Sequence, residues 1–179
     1  AVKMPVVSAG LRAMETATAR GIVVTPTVSF SVSQAVAAAE AIERGLDLAQ
    51  AAGIEIGAMR PNVAIMVGRL DDHLKRVMDT QRISVDPGCL EWAGVAVFKR
   101  AYQIFQQRGF RSVLLAAAYR NPMQWSEFVG GNVTVSIPHS WWQRFNASPI
   151  EVTARINLPV RGDIIETLET HFPDFVRAY

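Results

Sequence analysis

Cysteine is nearly missing. Cys89 stands alone in 179 residues, so no internal disulfide framework exists, and a reducing, cytoplasmic setting is expected. The three histidines, His73, His139 and His171, are far apart. With one thiol they offer no zinc-ligand spacing, and no metal is expected. No uninterrupted apolar stretch reaches the roughly 20 residues needed to span a bilayer. No cationic start followed by an apolar run marks a signal peptide. The net charge of +2, with both signs interspersed, is too weak and too dispersed for a nucleic-acid footprint.

What is present is an alternation of short β-branched runs with longer helical stretches, in a chain of single-domain length and ordinary globular composition. Val2 to Val7 reads as the end of a strand. Ser8 is expected to cap a helix carrying Leu11, Met14 and Glu15 that stops at Gly21. Ile22 to Phe30 reads as a strand, followed by a helix from Gln34 to about Ala52, capped by Ser31 or Ser33. Asn62 to Val67 is a third strand. Helical stretches follow from Asp71 to Thr80 and from Pro87 to Arg108, with Gly109 as the stop. Ser112 to Tyr119 is a fourth strand, Pro122 to Phe128 a short helix and Val133 to Ile137 a fifth strand. Helices around Ser140 to Phe145 and Gly162 to His171 complete the reading.

Nearly all-apolar strands alternating with helices argue for a parallel sheet covered by helices. Two arrangements satisfy that pattern, an open doubly wound sheet and a closed barrel. The turns after the strands read PVVSAG, TVSFSVSQ and AAYRNP. None is the Gly-rich phosphate loop of a dinucleotide fold. A full barrel needs eight strand–helix units and typically about 250 residues. The five units counted here therefore lead to the expectation of missing upstream chain, since an open five-stranded piece exposes two unpaired edges.

In either arrangement the site lies at the carboxyl ends of the strands. Lys3, between Val2 and Met4, is a charge inside an apolar strand, which is costly unless the charge is paired or lost. A neutral lysine amine is the nucleophile that attacks a carbonyl. A lysine near a chain start can equally sit in solvent. Arg69 and Arg120 follow neighbouring strands. Arginine suits an anionic ligand through its bidentate fork and permanent charge, although Arg69 could simply pair with Asp71 or Asp72.

The segment KMPVVSAGL resembles the Schiff-base strand of transaldolases and their fructose-6-phosphate aldolase relatives. TPTVSFSVSQA resembles that family's fifth strand, VAIMVGRL its sixth, VLLAAAYRNP its seventh, and VTVSIPHSWWQRF its last strand and helix. The resemblance implies a TIM-type (β/α)8 barrel of which residues 1–179 supply strands four to eight. Strands one to three would be absent, and with them an aspartate and an acidic residue or glutamine that transfer protons. It further implies Lys3 as the Schiff-base lysine, Thr27 as the threonine that helps hold the catalytic water, and Arg69 and Arg120 as substrate phosphate ligands. Phe30, Ala64, Met66 and Ala118 are implied as pocket lining. Gln34 matches the pattern, and His139 would sit in the loop after the last strand. Trp141 and Trp142 are expected to pack.

The sequence departs from that pattern at Val7, Ala64, Met66 and Ala118. The family commonly has serine or threonine, serine, an aromatic residue and serine at those places. The implied activity is transfer of a dihydroxyacetone unit between sugar phosphates, with no metal or organic cofactor. The alternatives are a fructose-6-phosphate aldolase-like lyase and a non-catalytic barrel fragment. Expected partners are phosphorylated sugars and either further copies of the chain or the missing N-terminal half, with no nucleic acid and no membrane.

Overall fold

A computed structural model describes all residues, Ala1–Tyr179. Five strands alternate with helices in the order β1 (Val2–Pro5), α1 (Ser8–Ala19), β2 (Val24–Thr27), α2 (Val32–Ala51), β3 (Asn62–Met66), α3 (Val67–Gln81), α4 (Pro87–Leu90), α5 (Ala93–Arg108), β4 (Val113–Ala117), α6 (Met123–Ser126), β5 (Val133–Val135), α7 (His139–Asn146), α8 (Gly162–His171) and α9 (Pro173–Ala178). No helix is long and apolar enough to cross a membrane.

All strand pairing is parallel. β1 pairs with β2, and β3, β4 and β5 pair in succession. Just past β2, the Met66 amide donates to the Ser29 carbonyl at 2.9 Å and joins the two groups. The strands therefore lie in chain order with no reversal. A doubly wound sheet reverses at a switch point, so that alternative does not describe this chain.

Alternation along the strands separates two faces. Val24, Val63, Ile65, Leu114 and Ala116 are buried beneath the helices. Thr25, Thr27, Met66, Leu115 and Ala117 point the other way and are only half-covered. The helical layer is tight because α2 presents a stripe of Ala35, Ala38, Ala39, Ile42, Gly45 and Leu46. A Cβ on Gly45 would come within 2.6 Å of Thr18 on α1, so only glycine permits that helix approach. From α5, Val95, Val97, Phe98 and Ala101 complete the core. Each large side chain in it contributes about 1.5–3 kcal/mol through burial.

Several boundaries differ from the sequence reading. Val67 begins α3 rather than ending a strand, which puts Arg69 in the first turn of a helix that starts earlier than Asp71. The stretch from Pro87 to Arg108 is broken at Glu91 and Trp92 into two helices, the first capped by Asp86. Val7, not Ser8, holds the cap position of α1 and makes no side-chain bond. At α2, Ser31 is the cap, accepting from the Gln34 amide at 3.2 Å. Helix α9 was not expected. It forms because Phe172 and Phe175 are fully buried and anchor one further turn after Pro173.

Between α7 and α8 the chain has no regular secondary structure, yet it is fixed. The nearly buried Lys99 of α5 donates to Glu127 Oε2 at 2.6 Å and to the Arg155 and Leu158 carbonyls at 2.9 and 2.8 Å. A buried ammonium requires such partners, and here two of the three come from that segment.

Candidate active site

Lys3 is exposed and lies in register with Thr25, one strand over, while Pro5 is in register with Thr27. Partners in a parallel pair share a face, so Lys3, Thr25 and Thr27 all belong to the half-covered side of the sheet. Immediately after Thr27 the chain turns sharply, with Val28 in a left-handed conformation (φ 55°). A β-branched residue adopts this region at a cost. Gln34 holds this turn to the end of β1. Its Oε1 accepts from the Phe30 amide at 2.9 Å, and its Nε2 donates to the Val6 carbonyl at 3.4 Å.

The same device recurs after β4, where Ala118 is also left-handed (φ 63°). The turn presses the Ala118 carbonyl against α3. A Cβ on Gly68 would lie 2.2 Å from that oxygen and 2.6 Å from Cγ of Arg120. Glycine at 68 is thus what allows the β4–α6 turn to sit on the start of α3.

This packing brings the two expected arginines to one carboxylate. Asp72 accepts from Nε of Arg120 at 3.0 and 2.9 Å and from its Nη2 at 2.8 Å. It also pairs with Nη1 of Arg69 at 3.7 Å. The Nη1 of Arg120 is taken by its own turn, donating to the Ala118 and Tyr119 carbonyls at 3.2 and 2.8 Å. Beside this group lies a cleft of about 340 Å³ lined by Phe30, Arg69, Leu70, Asp72, His73 and Arg76. His73 Nε2 meets Asp174 Oδ2 of α9 at 2.7 Å. The hydrogen bond to His73 holds the Asp174 carboxyl below its ordinary value.

Behind the arginines is a group the sequence reading missed. Asp71 is completely buried. Its Oδ1 accepts from the Gly94 amide at 2.9 Å, and its Oδ2 from Gln124 Nε2 at 2.6 Å and Asn121 Nδ2 at 3.3 Å. Burial pushes its carboxyl up to about 7. A signal was available, because Asp71 falls between Val67 and Leu74 on the apolar stripe of α3.

The profile of the family described as transaldolase/fructose-6-phosphate aldolase matches residues 1–172. The chain belongs to that family. Over 122 residues it is 33% identical to a probable transaldolase of Moorella thermoacetica, covering 68% of this chain and 41% of that protein. It is 29% identical to Transaldolase 1 of Streptomyces coelicolor over 122 residues, 67% of this chain and 32% of that protein. The matched region thus spans less than half of either relative.

For a member of this enzyme family the remaining positions are plain. Met66 is half-covered on the open face, in register with Ala117, and Ala64 is buried beside Leu115. His139 is exposed at the start of α7, stacked on Trp142 at 5.8 Å. Trp141 packs against Tyr119 and Phe145 as expected. Trp142 does not; it is 53% exposed. No three His, Cys, Asp or Glu side chains converge as a metal site.

Proposed function

We propose that this chain carries the lysine half of a transaldolase-type site. The Lys3 amine attacks the C2 carbonyl of a ketose phosphate, and loss of water gives an iminium. The C4 hydroxyl gives up its proton, the C3–C4 bond breaks, and its electron pair is taken up by the iminium as an enamine. The aldose phosphate leaves. The enamine then attacks the aldehyde of an acceptor aldose phosphate, and hydrolysis frees Lys3. Thr27, on the same face, helps hold the water. Arg69 and Arg120 hold the phosphate, which displaces Asp72 from part of the guanidinium fork. We further read β1 to β5 as the fourth to eighth strands of a (β/α)8 barrel whose other strands carry the proton-transfer groups.

The observation that supports this most is the joining of Arg69 and Arg120 through Asp72 at the ends of adjacent strands, in a chain of this family whose lysine lies on the open sheet face. A second reading, a lyase that protonates the enamine and releases dihydroxyacetone, is favoured by Ala64 and Met66, which stand on β3 where transaldolases have serine and an aromatic residue.

Borohydride reduction in the presence of fructose 6-phosphate, followed by peptide mapping, tests the lysine. A reduced adduct is expected on Lys3, and an adduct elsewhere or none would end the proposal. Release of free dihydroxyacetone without an acceptor separates the lyase from the transferase.

A further inference from the structure

Asp71 makes no ion pair. Its three partners, the Gly94 amide, Gln124 and Asn121, are all neutral donors. A fully buried carboxylate held this way is expensive, and an apolar residue of similar size would pack there at less cost. Stability therefore does not account for it. What an ionised carboxylate, the form Asp71 takes above about pH 7, does uniquely is accept without donating. Facing Asp71, the Gln124 amide can present only its Nε2, so its Oε1 is forced toward the opposite side. There it accepts from the backbone N–H of Arg120 at 2.5 Å. One residue further along α3, Asp72 grips the guanidinium of the same arginine. Two successive carboxylates thus fix Arg120, one through its backbone and one through its side chain.

We propose that Asp71 is a positioning residue for the anion site: by dictating the orientation of the Gln124 amide it fixes the Arg120 backbone, and so sets phosphate affinity without touching the phosphate. This rests on the reading of Arg120 as a phosphate ligand. Asp71→Asn keeps the shape but leaves one acceptor, which Gly94 takes, and turns an NH2 group toward Gln124. The Gln124 amide must then flip, withdrawing its oxygen from Arg120. Pairing Asp71→Asn with Gln124→Glu restores complementarity, since one glutamate oxygen accepts from Asn and the other from the Arg120 amide.

The test is titration of the full chain with inorganic phosphate at about pH 8, where Asp71 is ionised, followed by phosphorus NMR. Asp71→Asn is expected to weaken binding roughly tenfold, the size of one lost hydrogen bond, and the double variant to recover most of it. The Arg120 amide proton resonance should shift in the single variant and return in the double. If Arg120→Ala weakens phosphate binding but Asp71→Asn does not, the positioning role alone is overturned. A double variant no better than the single one overturns it as well. If Arg120→Ala changes nothing, or the unaltered chain binds no phosphate, the phosphate reading of Arg120 falls, and this proposal with it.

Discussion

Asp72 and Arg120, 48 residues apart in sequence, meet in a bidentate pair with Nε and Nη2 at 2.9 and 2.8 Å from one carboxylate oxygen. With Arg69 and Arg120 as the proposed phosphate ligands, Asp72 and the phosphate would compete for the same donors. Asp72→Asn removes one negative charge beside two guanidinium groups. Binding of inorganic phosphate is expected to strengthen by roughly threefold, as fits a half-exposed pair. The gain should shrink as salt is raised. Weaker binding in this variant would mean that Asp72 orients the arginines more than it blocks them.

Asp71 sets a pH dependence of stability. Its carboxyl rises from 3.8 to about 7, chiefly through burial; the Gly94 amide and Lys75 pull it down, while Glu91 and Asp72 push it up. Below about pH 4 the folded and unfolded chains both hold the proton. Between there and about pH 7 only the folded chain does. The stability this group contributes is therefore full in acid and lost as pH rises through 7, by at most about 4 kcal/mol. Denaturant unfolding of the wild-type chain and Asp71→Asn at pH 4.5, 6 and 8 reads it directly. The wild type should lose ground to the variant as pH rises, and a difference that stays flat would refute the shift.

Gly68→Ala places a methyl group 2.2 Å from the Ala118 carbonyl. Backbone must move, and the segment free to do so is the turn carrying Arg120. A loss of about 1–3 kcal/mol is expected, together with weaker phosphate binding. Gly162→Ala, where a Cβ meets nothing, serves as the control in thermal unfolding.

Lys99→Met leaves Glu127 and the Arg155 and Leu158 carbonyls without their shared donor. Breaking a buried pair from one side costs about 3–5 kcal/mol. Adding Glu127→Leu should return part of that, because no lone charge then remains. Equal stability of the single and double variants would argue against a charge penalty.

Much of the scaffold was legible in the residues. Gly162–His171 forms as a helix over the predicted span, and Ser31 and Gly109 bound their helices as turn chemistry dictates. Periodicity erred at Val67, because a β-branched residue continuing an apolar run reads as strand. What the run does not reveal is a contact far away in the chain, the close approach of Gly94 to its carbonyl. Lys3, Arg69 and Arg120 were named from resemblance and strand-end position. Asp71 was passed over because its partners lie 23, 50 and 53 residues away. An Asp-Asp pair on an amphipathic helix otherwise reads as solvent-facing.

Helix α3 is gripped along its flanks, by the Gly94 amide at Asp71, by Arg120 at Asp72, by Asp174 at His73 and by Glu91 at Lys75. The Asp174 contact spans 101 residues of sequence and sits one turn from Arg69. A change of charge at Asp174 leans on the strut that bears both guanidinium contacts. The C-terminal turn thus braces, from outside the sheet, the helix on which Arg69 and Asp72 meet.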